Sequence, residues 1–341
     1  MTTTIKDIAK VAGVSHSTVS RALSGHPAIA TETVTRIKKI AVDLGYVPSA
    51  VARGLKTKRS QALGVIVNRI DDPFFSEILQ GIEDVLHEAG YSLFVAASNR
   101  DHNREKTIVQ SMRERQVDGI IVCTTQFSDE HRSQFRQYGF PIVAIGNSKD
   151  TEYKWSVYHD DAFGSAKITR YLVELGHKKI AYLGNSRAQS TTQGRLNSFM
   201  GEMRTTDLPI PEEYVFFCPN GRPEGGEIGA RQCANLAEPP TAIMCFNDMM
   251  AIGAVKALRE SGVEVPNDCS VVGFDNIPIA AYQFPPLTTF EQPKYQLGYE
   301  AAQMMFTLLK SDSDINSAKK QTLRLLGKLM VRDTTAPPPN K

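Results

Sequence analysis

The sequence predicts a small all-α unit at the amino end and a large α/β body with parallel sheets behind it. Three observations carry this. Helix-spaced apolar residues recur in short segments over the first 45 residues. Beyond residue 61, short continuous apolar runs alternate with amphipathic segments, the pattern of strands buried on both faces. Charge is also segregated: residues 1–60 hold 10 Lys+Arg against 3 Asp+Glu, and the rest 29 against 34, so a formal net charge of +2 hides a basic head on an acidic body.

In the head, Thr4 suits the N-cap of a first helix, and Ile5, Ile8, Ala9 and Ala12 form its apolar face. Gly13 breaks that helix and Val14 plugs the turn. Ser15 caps a second helix with Val19, Ala22 and Leu23 as its buried stripe, which leaves His16, Ser17, Thr18, Ser20 and Arg21 facing outward. A solvated helical hairpin shows the same pattern. The basic charge favours a helix-turn-helix instead, because hydrogen-bonding side chains at the start of a second helix are what a major-groove reader needs. A third helix follows from Thr31 to Leu44 on Val34, Ile37, Ile40, Ala41 and Leu44, with Gly45 past its end. Pro48 interrupts, and Ser49 caps a short segment with Val51, Ala52 and Leu55 among Arg53, Lys56, Lys58 and Arg59. A helix of about seven residues is marginal in water, so this segment is expected to fold only against DNA and a partner helix.

In the body, strands are expected at 62–67, 92–97, 119–123, 141–146, 179–184, 241–246 and 269–274. Helices are expected at Phe74–Glu88, Arg104–Gln116, Ala162–Leu175 and Met249–Ser261. Parallel sheets bind ligands beyond the carboxyl ends of their strands. The residues there are polar: Asn68, Arg69, Asp71, Asp72, Ser98, Asn99, Asp101, Thr124, Thr125, Gln126, Asn147, Ser148, Asn185, Asn247, Asp248, Asp275 and Asn276. Amides, hydroxyls and a few carboxylates suit a polyhydroxylated ligand, although each residue also serves as a helix cap, as Asp248 would before Met249. Phe74 and Phe75 follow Pro73, where a ring can stack on a sugar face or pack beneath its helix. Trp155 is read as a loop residue, either a cleft lid or a surface anchor.

Catalytic signatures are missing: the sequence has no phosphate-binding G-x-x-x-x-G-K-[ST], no G-x-G-x-x-G, no H-E-x-x-H and no G-x-S-x-G. Cys123, Cys218, Cys233, Cys245 and Cys269 show no C-x-x-C spacing and read as buried thiols of a reducing compartment. No cofactor or metal is expected. The absence of an export segment or a long apolar run points to a cytoplasmic protein, associated with the nucleoid when on DNA.

The stretch TIKDIAKVAGVSHSTVSRALSG, followed by GYVPSAVARGL, resembles the DNA-binding region of the lactose and galactose repressor family. The resemblance implies that His16, Ser17 and Arg21 read bases. It also implies that Ser49–Lys56 is a hinge helix whose Leu55, beside Ala52, wedges into the minor groove. QVDGIIV, VELGHKKIAYLG, QGRLNSF, TAIMCFNDMMAIGAVKAL, VPNDCSVVGFDN and PPLTTFEQP extend it through the body. They imply two parallel-sheet lobes of the type I periplasmic-binding-protein kind around an effector cleft, with crossovers near Asp161, Thr289 and Leu325.

The resulting domain expectation is a headpiece at 1–47, a hinge at 48–61, a body at 62–332 and a disordered tail at 333–341. Lobe N would take about 62–161 plus 291–323, and lobe C about 162–290 plus 324–332. Effector contacts are expected from Phe74, Phe75, Asp101, Gln126, Asn147, Gln189, Arg195, Asn247 and Asp275. Thr4, Ser15, Thr18, Ser20 and Lys56 join the DNA-binding set. Asn247 before Asp248 resembles sugar-responsive members, whereas purine-responsive members carry Gly there; Gln189 stands where the purine type has Arg, and Arg187 lies two residues away. The implied function is a repressor that binds a pseudo-palindromic operator as a homodimer and responds to a sugar. The alternative is a catabolite-control-type regulator acting with a protein partner, or with a purine or sugar-phosphate corepressor.

Overall fold

The computed structural model describes residues 3–47, 59–123, 141–146, 153–206, 208, 212–310 and 319–339. The chain divides into two compact units, Met1–Ser60 and Gln61–Lys341.

In the first unit, α1 (Ile5–Ala12), α2 (His16–Leu23) and α3 (Thr31–Asp43) bury Ile8, Ala9, Ala12, Val19, Ala22, Ile37 and Ala41 in one core. Thr4 stands at the N-cap of α1, where the Asp7 carboxylate accepts from its N–H (2.8 Å) and its hydroxyl (2.7 Å). Those bonds hold the Asp7 carboxyl below its ordinary range. Gly13 ends α1 at φ 66°, the left-handed conformation that glycine takes without strain and that lets the chain turn at once into α2. The Ser15 hydroxyl accepts the Thr18 N–H at 3.1 Å and caps α2.

The second unit holds two six-stranded sheets. In the first lobe β1 (Ala62–Val67), α4 (Phe74–Glu88), β2 (Ser92–Ala97), α5 (His102–Glu114), β3 (Gly119–Cys123), β4 (Ile142–Gly146) and β5 (Trp155–His159) follow in order. The chain then crosses to the second lobe. There it forms α6 (Asp161–Glu174), β6 (Ile180–Asn185), α7 (Gln189–Arg204), β7 (Val215–Cys218), α8 (Pro223–Ala234), β8 (Ala242–Cys245), α9 (Asp248–Glu260), β9 (Ser270–Asp275) and β10 (Thr288–Glu291). It returns through α10 (Lys294–Lys310) and β11 (Gln321–Leu325) and ends in the second lobe with β12 (Lys328–Met330). The strand orders are β11-β5-β4-β3-β1-β2 and β12-β10-β9-β8-β6-β7, parallel except for the antiparallel β10–β12 pair. In each sheet the order reverses direction beside the first strand, and the loops leaving the carboxyl ends there open a crevice.

Each sheet lies between helices and buries its apolar runs, except at the edge strand β2, whose Phe94 and Val95 stay exposed against expectation. Leu63, Val65 and Ile121 pack with Ile78, Ile82 and Met305 in the first lobe. Ile243, Val271 and Leu183 pack with Met250, Ala254 and Leu258 in the second. Helices α4 and α10 pack so closely that a Cβ on Gly81 or Gly298 would run into the backbone of the other helix.

Several expectations are corrected. Trp155 is neither a lid nor a surface anchor; it is a buried residue of β5, whose mixed sequence WSVYH conceals a strand buried along its whole length. The second crossing, expected near Thr289, falls at 292–293 just past β10, and the last falls after Leu325, so Arg324 and Leu325, expected in the second lobe, pair with β5 in the first. Asn247, not Asp248, caps α9, its Oδ1 accepting the Met250 N–H at 2.9 Å. The tail from 333 to 339 is ordered. Thr334 is fully buried and donates to the Val271 carbonyl (2.7 Å) while accepting the Thr288 N–H (2.8 Å). His177 and Ser270 bond the Ala336 carbonyl. The TTAPPP composition reads as a free tail because those partners lie far away in sequence.

The tail therefore works as a strap on the second lobe. Thr334→Val keeps its shape but leaves the Val271 carbonyl and the Thr288 N–H unpaired in the interior, and is expected to cost about 1–3 kcal/mol. Urea denaturation measures it, and an unchanged midpoint would show that those groups find other partners.

Candidate functional site

The exposed face of the head comes from α2. His16, Ser17 and Arg21 are exposed on it, while Thr18 and Ser20 are half-buried. Ser15 is occupied with its own helix, its hydroxyl lying 2.7 Å from that of Ser17 and 2.9 Å from that of Thr18. Thr4 is bound to Asp7, so its role in the structure is capping. Ser49, Ala52, Leu55 and Lys56 lie outside the described residues.

A cleft of about 790 Å³ opens between the two lobes of the body. The first lobe lines it with Asn68, Arg69, Asp71, Asp72, Phe74 and Phe75 around the start of α4, and with Arg100 and His159. The second lobe contributes Asn185, Arg187, Thr191 and Arg195, the turn Asn220–Arg222, and Asn247 and Asp275. Gln292 joins them from the crossover. They are the last residues of the strands, the loops that leave them or the first two turns of the helices that follow, which is why side chains far apart in sequence meet here.

Arg195 anchors the floor of the cleft. It is 4% exposed, its Nη2 donates to Asp161 Oδ1 at 3.0 Å, and its Nη1 donates to the Phe246 carbonyl. The guanidinium lies 3.8 Å from the Phe274 ring centroid and 4.9 Å from that of Phe246. His159 Nδ1 also reaches Asp161, at 3.1 Å. Burial penalises the Asp161 charge, but Arg195 and His159 outweigh it and hold this carboxyl down at about 2.

Asp275, at the end of β9, is held in a strained conformation, with φ 117° followed by φ 51° at Asn276. The buried Lys294 ammonium explains how this persists: it donates to the carbonyls of Asp275 (2.6 Å) and Asn276 (2.9 Å) and lies 3.4 Å from Glu77 on α4. Gln292 Nε2 donates to Asp275 Oδ1 at 2.5 Å. Burial drives the Asp275 carboxyl well above its ordinary range, with the charges of Asp248 and Asp72 adding to the effect against Arg195 and Lys294. Asp248 is itself pushed up by burial to about 7, although Thr289 and the Ile277 N–H bond it.

Phe74 meets Phe75 edge-on at 5.2 Å, and Phe75 is buried in the first-lobe core while also touching the cleft. Asn247 reaches the cleft with its amide committed, since Nδ2 donates to the Gly221 carbonyl at 3.0 Å. Two expected contacts are absent from the lining. Asp101 is exposed and caps α5 through the Arg104 N–H (2.9 Å), and Gln189 is an exposed residue of the first turn of α7. Their neighbours Arg100 and Arg187 face the cleft instead. Gln126 and Asn147 lie outside the described residues. Sequence reasoning missed Arg100, His159, Asn220, Arg222 and Gln292. The last four adjoin β5, β7 and β10, which were not recognised as strands; applying the strand-end rule to TTFE finds Gln292.

The Asp161–Arg195 pair carries a pH signature. Because the folded carboxyl titrates below its ordinary value, its contribution is complete above about pH 4 and is lost as pH falls toward about 2, on the order of 2 kcal/mol. Asp161→Asn should remove that segment of the pH dependence in urea titrations. It should also cost about 3–5 kcal/mol at neutral pH by leaving Arg195 buried without its counter-charge.

Comparison with known proteins places these features. Residues 4–49 match the family described as "Bacterial regulatory proteins, lacI family", and residues 169–335 match "Periplasmic binding protein-like domain". A relative from Mannheimia succiniciproducens, "HTH-type transcriptional repressor PurR", is 32% identical over 330 residues, covering 96% of this chain and 97% of that protein. The crystal structure of the lac repressor dimer bound to operator and the anti-inducer ONPF superposes with a TM-score of 0.88 at 26% identity, over 98% of this chain and 100% of that one. A LacI family regulator from Enterococcus faecium with bound ribose gives a TM-score of 0.71 at 26% identity, over 81% and 99%. The chain belongs to the LacI family of DNA-binding transcriptional repressors, with a helix-turn-helix head and a two-lobed periplasmic-binding-protein-like body.

Proposed function

We propose that this repressor senses a small polyhydroxylated molecule of the sugar class in the inter-lobe cleft and that occupancy controls its grip on a pseudo-palindromic operator. The observation that carries the reading is the polar lining of the cleft, where the amides of Asn68, Asn185, Asn220, Asn247 and Gln292 meet the guanidinium of Arg195 and the carboxyls of Asp72 and Asp275. Donors and acceptors side by side favour a ligand that can both donate and accept, as each sugar hydroxyl does. Phe74 supplies an apolar face beside them.

The relatives named PurR support a second reading, a purine corepressor. A flat base is best held between ring faces, and Phe74 of the first lobe and Phe246 of the second both line the cleft.

On the DNA side, Arg21, His16 and Ser17 are the base readers of the proposal, and Leu55 is its minor-groove wedge. A homodimer would place two α2 helices on half-sites. Support for an interface comes from Ile279, Tyr282 and Phe284, large apolar side chains exposed close together on the second lobe. The effector acts only through its difference in affinity between two lobe arrangements, which the hinge passes to the head.

Arg21→Ala should relax discrimination at one base pair per half-site by about 1–3 kcal/mol, read from binding to operator and substituted operators; equal weakening on random DNA would remove Arg21 from the readers. Asp275→Asn should leave operator binding in place and abolish the effector response in the same assay. A retained response would remove Asp275 from the sensor.

A further inference from the structure

We propose that the second lobe carries a separate binding site for a small aromatic carboxylate, in a cavity beside the three crossovers, and that an occupant there biases the arrangement of the lobes.

A second cavity, of about 390 Å³, opens between α6 and the sheet edge formed by β12. One face of α6 lines it with Phe163, Lys167, Arg170 and Glu174, spaced by three or four residues. Phe290 of β10 and the backbone at Gly327 and Lys328 complete the wall. None of these residues lines the inter-lobe cleft. Small-molecule sites run from about 300 to 1,000 Å³, so this volume suits a ligand of one or two rings.

The inner wall is aromatic. The Phe163 and Phe290 rings meet edge-on with centroids 6.2 Å apart, Phe290 buried and Phe163 half-buried. The chain comes down tightly on this pair. A Cβ at Gly327 would lie 2.0 Å from the Glu291 carbonyl oxygen and 2.5 Å from the Phe290 ring, so no side chain fits there to cover the rings.

The rim is cationic. Lys167, Arg170 and Lys328 line the cavity against one carboxylate, that of Glu174. Arg170 and Lys328 are held by acids outside the lining, Glu202 at 2.8 Å and Glu291 at 3.2 Å. Lys167 has no carboxylate partner among the described residues, and its ammonium lies 5.6 Å from the Phe163 ring centroid. An aromatic acid answers both features at once: its ring packs on Phe163 and Phe290, and its carboxylate pairs with Lys167. A neutral aromatic leaves the ammonium unanswered, and an inorganic anion leaves the rings to water.

The place of the cavity in the fold gives an occupant leverage. Phe163 lies in the first turn of α6 after the first crossing, Phe290 just before the second, and Gly327 in the third. Arg324 of the first-lobe strand β11 reaches Asp160 at 2.5 Å and lies 6.0 Å from the Phe163 centroid, so this ring is approached from both lobes. Inward, Phe290 packs on Phe274 at 5.2 Å, and Phe274 carries the Arg195 guanidinium of the cleft floor at 3.8 Å. A Cβ on Gly164 would come within 2.6 Å of Phe274 and 2.8 Å of Phe290, so the pair has no slack. A ligand against Phe163 and Phe290 therefore presses on the crossovers and on the back of the cleft floor, and it shifts the lobes by its difference in affinity between two arrangements.

The test is calorimetric titration of the full chain with benzoate, 2-naphthoate and the neutral 2-naphthalenemethanol, followed by operator binding with and without 2-naphthoate. The naphthoate should bind about tenfold or more tightly than the alcohol, with affinity that falls as salt rises. Lys167→Gln and Lys167→Glu, on an exposed side chain, should keep the wild-type melting temperature and erase that advantage. Saturating naphthoate should change operator affinity by about fivefold or more. Silence from both acids, alcohol binding as tight as the naphthoate, or acid binding indifferent to both Lys167 variants overturns the site. Naphthoate that binds through Lys167 and leaves operator affinity unchanged overturns its hold on the lobes.

Discussion

The body is organised around buried charge placed where the chain changes lobes. Asp161 starts the first helix after the first crossing and binds Arg195, so the guanidinium is fixed in the cleft floor between Phe246 and Phe274. Lys294 starts the helix after the second crossing and draws the Asp275 and Asn276 carbonyls toward it while facing Glu77. Buried ion pairs contribute little net stability once desolvation is counted, and their strength lies in specifying one geometry. Here that geometry is the cleft wall: Asp161 holds Arg195 in place, and Lys294 and Gln292 hold Asp275.

The mouth of the cleft is built differently. Asp71–Arg222, at 2.9 Å, and Arg100 on the Arg187 carbonyl join the lobes through groups that remain partly open to water. Exposed ion pairs are worth about 0–1 kcal/mol. Contacts this weak hold an arrangement without locking it. Away from the mouth, α4 and α10 of the first lobe meet backbone to backbone through Gly81 and Gly298 and leave no room to slide.

The head follows a simpler rule. A three-helix core of seven buried apolar residues leaves one face of α2 polar, and the caps at Thr4, Gly13 and Ser15 set the angle at which that face is shown. Each of these is a local interaction spanning a few residues.

That locality separates what the sequence determined by itself from what only tertiary structure decided. The helices of the head, the apolar strands β1, β3, β6, β8 and β9 and the extent of α4 were legible because period, caps and breakers lie within one short window. Strands β5 and β10 were not, since their mixed residues become buried only when the sheet forms around them, and β7 is a four-residue edge strand that leaves Phe217 exposed. Arg195, Asn247 and Asp275 were placed by resemblance and by the strand-end rule, and the structure gathers them at one cleft. Whether Asp101 or Arg100, and Gln189 or Arg187, faced that cleft depended on loop backbone such as the φ of 60° at Arg100, which no residue pattern encodes. The tail was misread for the same reason. Thr334 and Ala336 are polar and small, and only the long-range hydrogen bonds to Val271, Thr288, His177 and Ser270 make them part of the fold.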